Sequence, residues 1–185
     1  TISFENSGDK VVVNISDSDV TIANAPTAND TYTANRATGD TIGTDTILRF
    51  ENIQAGSGDD TLIGNSGQNI IYGGIGQDFI FGNDGDDKLF GQDGNDTLAG
   101  GEVNDSIDVG EGNDTVTYFD ADSVVVSLRG ATNGTGNSTY GTSTYTDKLY
   151  AIENVIGSAG DDTIQGDLGD NILNGADGTN TVSYA

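Results

Sequence analysis

Between residues 55 and 117 the chain repeats itself every nine residues, and one aliphatic position stays in phase through seven copies. Position eight holds Leu62, Ile71, Ile80, Leu89, Leu98, Ile107 and Val116 in turn. Position six holds Asp60, Asn69, Asp78, Asp87, Asp96, Asp105 and Asp114. A second, shorter run carries Asp162, Asn171 and Asn180 at position six, with Ile164, Leu173 and Val182 at position eight. A disordered Gly/Asp-rich linker buries nothing, so nothing would keep an aliphatic residue in register. A unit this short cannot bury its apolar side chain alone, and neighbouring copies must stack to make a continuous core. The expected fold is therefore all-β and elongated, with no substantial helix.

The copy Gly73-Gly74-Ile75-Gly76-Gln77-Asp78-Phe79-Ile80-Phe81 shows the unit most completely. Glycines at positions one, two and four open backbone angles, including φ > 0, that other residues avoid. A tight turn built on them aims carbonyl oxygens inward, and the position-six carboxylate adds more oxygen. Calcium is a hard cation that takes about six to eight oxygen ligands, which this set supplies. Residues seven to nine then run as a short strand with the eighth side chain inward. An EF-hand would need alternating Asp/Asn ligands closed by a Glu at the twelfth position, and no segment has that pattern.

These residues match G-G-x-G-x-D-x-U-x, U being a large aliphatic, and resemble the RTX family of hemolysin-type calcium-binding repeats. The resemblance implies a right-handed parallel β-roll or β-solenoid in which two nonapeptides make one coil and each ion is shared by adjacent turns on one edge. Turns on the same edge then lie eighteen residues apart. One edge would carry Asp60, Asp78, Asp96 and Asp114, and the other Asn69, Asp87 and Asp105. The implied complement is three ions on the first edge and up to two on the second, about five Ca2+ in residues 55–117. The turn backbone of Gly56, Gly58, Gly74, Gly76, Gly85, Gly94 and Gly112 would help to hold them. Asn69 offers one neutral oxygen and should make a weaker site; Asp162 paired with Asn180 should be marginal. Val103 stands where position four is glycine, so the turn bearing Asp105 is expected to be distorted. Ala55 and Val109 replace glycine at position one near the ends of the run.

Composition narrows the function. The 185 residues carry a net charge of −24 with six basic residues, and 34% are hydrophobic. Such a chain resists collapse until divalent cations cancel part of its repulsion, so folding and metal binding should be linked. His, Cys and Met are absent. That removes imidazole catalysis, thiol chemistry, disulfides and His/Cys zinc or copper sites. No basic patch awaits nucleic acid, no stretch is apolar enough to span a membrane, and no leader peptide is visible. Without a Met, Thr1 is not expected to be a translation start, and the chain is expected to be a segment or processed product. Carboxylate pairs such as Asp59/Asp60 and Asp86/Asp87 suggest acid–base chemistry only superficially. One Asp of each pair stands at the repeat's ligand position, and no nucleophile–base arrangement accompanies it, so no enzyme activity is expected.

The remaining sequence divides the chain into an irregular β segment (1–54), the seven nonapeptides (55–117), a second irregular segment (118–156) and the short second run (157–185). Glu51-Asn52-Ile53 leading to Gly58-Asp59-Asp60-Thr61-Leu62 recurs as Glu153-Asn154-Val155 leading to Gly160-Asp161-Asp162-Thr163-Ile164. Val11-Val12-Val13 parallels Val124-Val125-Val126, and Thr181-Val182-Ser183-Tyr184 repeats Thr115-Val116-Thr117-Tyr118. Strands are expected at 11–15, 46–50, 124–128 and 149–156, a loop at 131–146, and a continued coil through the irregular segments. A separate β-sandwich over residues 1–50 is the alternative. Positions seven and nine should face outward, placing Ile70, Tyr72, Phe79, Phe81 and Phe90 in an apolar patch. Either residues 1–50 fold over it, or a neighbouring module or ligand does. Open coil ends invite neighbouring modules or head-to-tail self-association. The expected role is a calcium-dependent structural module of a secreted, extracellular bacterial surface protein or adhesin, exported by a type I system and folding afterwards. The alternative is a ligand-binding solenoid for carbohydrate or ice, with Thr97, Thr115 and Thr117 outward.

Overall fold

The computed structural model describes residues 1–3, 11–14, 20–21, 31–32, 36–39, 43–46, 50–129 and 134–184. Among these there is no helix. The strands are β1 (Ile2–Ser3), β2 (Val11–Asn14), β3 (Val20–Thr21), β4 (Thr31–Tyr32), β5 (Arg36–Gly39), β6 (Gly43–Thr46) and β7 (Asn52–Gln54). The first repeat run forms β8 (Thr61–Ile63), β9 (Ile70–Ile75), β10 (Phe79–Phe81), β11 (Lys88–Asp93), β12 (Thr97–Ala99), β13 (Ser106–Glu111) and β14 (Thr115–Thr117). Then come β15 (Ser123–Ser127), β16 (Gly134–Tyr140), β17 (Ser143–Tyr150), β18 (Asn154–Ile156), β19 (Thr163–Gln165), β20 (Ile172–Asn174) and β21 (Thr181–Ser183).

Successive strands of the repeat run alternate between two sheets. The first sheet runs β1-β7-β9-β11-β13-β17-β16-β15-β19-β21, and the second β20-β18-β14-β12-β10-β8-β2-β5-β6. Within the run every pairing is parallel and offset by eighteen residues: Ile80 lies beside Leu98, and Leu89 beside Ile107. Two nonapeptides therefore make one coil, the β-roll that the repeats predict. All seven position-eight side chains of the first run are fully buried in one continuous core, extended by Val13, Ile53, Leu149, Val155 and Ile164. At about 1.5–3 kcal/mol for each buried aliphatic side chain, this column is the main apolar driving force for stacking.

The turn backbone explains the glycines. Gly76 has φ +140°, and a Cβ there would fall on the Gly58 carbonyl of the preceding coil. Val103 occupies the same kind of position with φ 88°. The expected distortion does not occur: Asp105 stays buried and in line. The β-branched residue instead accepts a strained backbone, because the stacked coils on either side fix the turn.

The irregular segments depart further from expectation. Residues 131–146, expected as a loop, contain β16 and lead into β17, an antiparallel hairpin inserted into the first sheet. Its Ser/Thr/Gly composition reads as a loop, yet buried Gly134, Gly136 and Ser138 alternate with more exposed neighbours, as a strand requires. The single strand expected over 149–156 breaks at Ala151, whose φ is 62°. Tyr150 ends a strand of the first sheet, and Asn154 begins one of the second. Most of the strand expected over 46–50 lies outside the described residues, which resume at residue 50 after 47–49; β6 ends at Thr46 and β7 begins at Asn52.

Strands β1 and β2 join the two large sheets rather than a separate sandwich, and β3 pairs with β4. The pairings also recur. Strand β2 lies parallel to β8 and antiparallel to β5, which pairs β6; likewise β15 lies parallel to β19 and antiparallel to β16, which pairs β17. The expected outward apolar patch is half closed. Phe79 and Phe81 are buried with Ile63 and Ala99, and Phe119 packs on them, its ring 5.2 Å from that of Phe81. Tyr72 and Phe90 stack at 4.8 Å and stay partly exposed. Most side chains of the N-terminal segment, residues 1–50, that was expected to cover the patch lie outside the described set. Thr117, expected outward, is buried.

Candidate metal centre

The position-six residues stand in two columns, one along each edge of the roll, and a single hydrogen bond links each to the next. The N–H of Asp60 donates to Asp78 Oδ1, that of Asp78 to Asp96 Oδ1 and that of Asp96 to Asp114 Oδ1, at 2.7–2.8 Å. On the other edge Asn69 N–H donates to Asp87 Oδ1, and Asp87 N–H to Asp105 Oδ1, at 2.8 and 2.9 Å. The eighteen-residue stacking thus brings together every first-run residue expected to act. All are buried.

Each carboxylate uses one oxygen in this ladder. The other, Oδ2 of Asp78, Asp87, Asp96, Asp105 and Asp114, is buried without a hydrogen-bond partner among the described residues. These oxygens point to a shared feature. A Cβ built on Gly73 would fall on both Asp78 Oδ2 and the Gly91 carbonyl oxygen. Gly82 stands in the same relation to Asp87 Oδ2 and the Gly100 carbonyl, and Gly91 to Asp96 Oδ2 and the Val109 carbonyl. Each of these points is walled by two electronegative oxygens and kept open by the missing side chain of a position-one glycine. Sequence reasoning gave the turn glycines at positions one, two and four, but the glycines it named as helping to hold the ions stand at positions two and four, not at position one where the oxygens are bared. The signal was present, because position one is glycine in all five middle copies of the run.

Electrostatics sharpens the demand for a cation. Burial pushes the Asp78 carboxyl up to about 7, Asp87 to about 8 and Asp105 to about 9, with Asp96 and Asp114 at about 6. Neighbouring carboxylates add to the rise in each case, against a lowering by the ladder hydrogen bond. An unsatisfied buried polar group costs about 1–3 kcal/mol, and more when charged. A cation between the carboxylate and the facing carbonyl removes that cost. The donors are all hard oxygens, which suits calcium rather than softer transition metals. Among the described residues no three acidic side chains converge on one point, so backbone carbonyls must complete each shell.

Where position six is Asn, the amide fills the need itself. Asn69 Oδ1 accepts from Asn65 N–H at 2.7 Å, and its Nδ2 donates to the Glu51 carbonyl at 2.6 Å. Asn171 repeats this with Asp167 N–H and the Glu153 carbonyl. Asn180 Oδ1 accepts from Asp162 N–H, and its Nδ2 donates to the Asp177 carbonyl. Asp162 is also saturated: Oδ1 accepts from Val124 N–H and Ser158 Oγ, and Oδ2 from Ser158 N–H, each at 2.7 Å. A further ladder on the solvent side runs in the opposite sense through position five. Gln77 N–H donates back to Asp59 Oδ1 at 2.8 Å, Asn113 N–H to Asn95 Oδ1 at 3.0 Å and Thr179 N–H to Asp161 Oδ1 at 2.7 Å. In Asp59-Asp60 and Asp86-Asp87 the second Asp is thereby a candidate ligand and the first a structural brace.

The glycines singled out from the sequence shape the turns. Gly58, Gly74, Gly76, Gly85, Gly94 and Gly112 all have positive φ, whereas Gly56 does not. The carbonyl of Gly56 lies where a Cβ on Gly74 would be.

Comparison with protein families matches the RTX calcium-binding nonapeptide repeat four times, over residues 49–80, 72–107, 81–116 and 150–182. No curated protein matches the chain. The matches take in more than half of the residues, and their register is that of the buried Asp columns. The chain belongs to the family of RTX calcium-binding nonapeptide repeat proteins.

Proposed function

We propose that this chain is a calcium-folded structural module of a secreted bacterial surface protein, of the kind that extends or anchors an adhesive part. The observation that carries the reading is the row of buried Asp oxygens without a hydrogen-bond partner among the described residues, those of Asp78, Asp87 and Asp96 each beside a carbonyl oxygen of the next coil. In low calcium the acidic chain cannot bring these groups together without protonating them or leaving them unpaired. In the calcium-rich exterior the ions link coil to coil, and metal affinity becomes folding free energy. Export before folding follows naturally from such a switch.

The ions are assigned to the first run, with Asp60, Asp78, Asp96 and Asp114 on one edge and Asp87 and Asp105 on the other. Asn69, Asp162 and Asn180 satisfy themselves and close their turns without metal. Catalysis has no place in this scheme: the RTX repeat is a structural calcium-binding unit, and the buried carboxylates are spoken for by the ladder. Neighbouring modules are the natural partners. Val182 and Tyr184 are largely exposed, whereas the corresponding Val116 and Tyr118 are buried beneath the next segment. A second copy would cover them, and a concentration-independent monomer in calcium by sedimentation would count against self-stacking. Thr117, expected outward on the ice- or carbohydrate-binding alternative, is buried, which counts against that alternative. Far-UV circular dichroism during a calcium titration, with magnesium as control, tests the switch. A calcium-specific coil-to-β transition supports it; an unchanged β signal in chelator defeats it.

A further inference from the structure

The column Asn69–Asp87–Asp105 does not stop at the last nonapeptide. The N–H of Asp105 donates to Asp147 Oδ1 at 2.9 Å, the same bond that links every earlier member. Asp147 lies forty-two residues on, in the inserted hairpin, and outside every stretch matched by the repeat family. Strand β17 nevertheless continues β13 in parallel, with Lys148 beside Ser106 and Leu149 beside Ile107, so Asp147 takes the position-six place of one more coil. The sequence carries a trace of this: Asp147-Lys148-Leu149-Tyr150 echoes Asp87-Lys88-Leu89-Phe90.

The surroundings of Asp147 ask for a ligand. Its side chain is fully buried, and its Oδ2 has no hydrogen-bond partner among the described residues. Asp105 Oδ2 and Ser138 Oγ are likewise buried without a hydrogen-bond partner among the described residues, and the buried Tyr118 hydroxyl is set against the Asp147 carboxylate. The Tyr118 ring tip lies where a Cβ of Gly136 would stand, and Gly136 is the cross-strand neighbour of Asp147. The three atoms nearest a Cβ on Gly100 all belong to Asp105, whereas a Cβ on Gly73, Gly82 or Gly91 also has a carbonyl oxygen of the next coil among its nearest atoms.

We infer that Asp105 and Asp147 hold a calcium ion between the last nonapeptide coil and the inserted hairpin, clamping the second module onto the first. The inference rests on the calcium reading above and extends it to residues outside the repeats. The Tyr118 hydroxyl oxygen, set against Asp147, is a hard donor of the kind calcium accepts.

The test uses the full chain. Equilibrium dialysis counts calcium bound by the wild type and by Asp147→Asn, which keeps an oxygen for the Asp105 N–H but removes the charge. The expected result is one ion fewer, with the calcium-dependent β transition of the remaining repeats retained. An unchanged ion count overturns the inference and leaves the general calcium reading intact. A wild type that binds no calcium overturns both. Should Asp147→Asn fail to fold, terbium in place of calcium decides the matter in Tyr118→Phe. Tyrosine-sensitised emission drops if an ion sits beside Tyr118; emission equal to wild type contradicts the clamp.

Discussion

The two repeat runs share a nine-residue frame and an aliphatic column, yet they close their turns differently. In the first run, position-six carboxylates leave a buried oxygen bare beside a carbonyl. In the second, Ser158 turns its N–H and hydroxyl onto Asp162, and Asn171 and Asn180 supply an amide in place of carboxylate and cation. The stacking needs only that the position-six group be satisfied. On the proposed reading a metal does this in one run and internal donors do it in the other, so that the metal would make folding conditional on the environment and the internal donors would not.

Removing calcium should separate the two runs most strongly. Hydrogen exchange in excess chelator should show loss of protection across 61–117, with smaller losses around Ser158 and Asp162; uniform loss along the chain would erase the distinction. Next in size is Asp96→Ala, in the middle of its column. It strands the Asp78 N–H and removes a counter-charge, and should cost about 3–5 kcal/mol in saturating calcium, as for a broken buried ion pair. Chemical denaturation measures it. Asp162→Ala loses only hydrogen bonds and should leave the calcium count unchanged.

Acidity probes the same oxygens without metal. The folded carboxyls of Asp78, Asp87 and Asp105, at about 7, 8 and 9, lie above the ordinary 3.8. A raised folded value means that stability is fully present below the unfolded value and is lost as pH climbs through the folded one. Calcium-free protein should therefore become more ordered on acidification from about pH 9 toward pH 4. Circular dichroism in chelator would show it, and a flat profile would argue against the burial of these groups.

Ser158→Gly should convert the second run toward the first. It deletes the hydroxyl bond to Asp162 and should make the thermal stability of that run more sensitive to calcium, by about 1 kcal/mol. Smallest is Val103→Gly, which relieves a β-branched residue at φ 88° and should stabilise the protein by about 1 kcal/mol or more. A loss of stability there would show that the Val103 side chain matters more than its backbone.

The legible part of the fold was whatever repeats. The aliphatic phase fixed which side chains form the core, and the eighteen-residue coil put Asp78 beside Asp96 before any coordinates were known. The inserted hairpin was illegible because Gly134, Gly136 and Ser138 look like loop residues. Only their burial beneath the sheet, with the Tyr118 ring against Gly136, makes them a strand. Asp147 was hidden for the same reason: its place in the column depends on a hairpin that skips twenty-four residues of ordinary repeat spacing. Self-satisfaction at Asp162 was equally hidden, since Ser158 donates through its hydroxyl and its backbone, and only the turn geometry reveals the second donor.

The central claim is that cations occupy the points between Asp oxygens and the next coil's carbonyls in the first run alone. A crystal structure with bound calcium, its ions placed by anomalous scattering, tests this most directly. The account predicts ions at Oδ2 of Asp78, Asp87 and Asp96, facing the carbonyls of Gly91, Gly100 and Val109, and none at Asp162. Empty points in the first run, or an ion bound at Asp162 with Ser158 displaced, would contradict it.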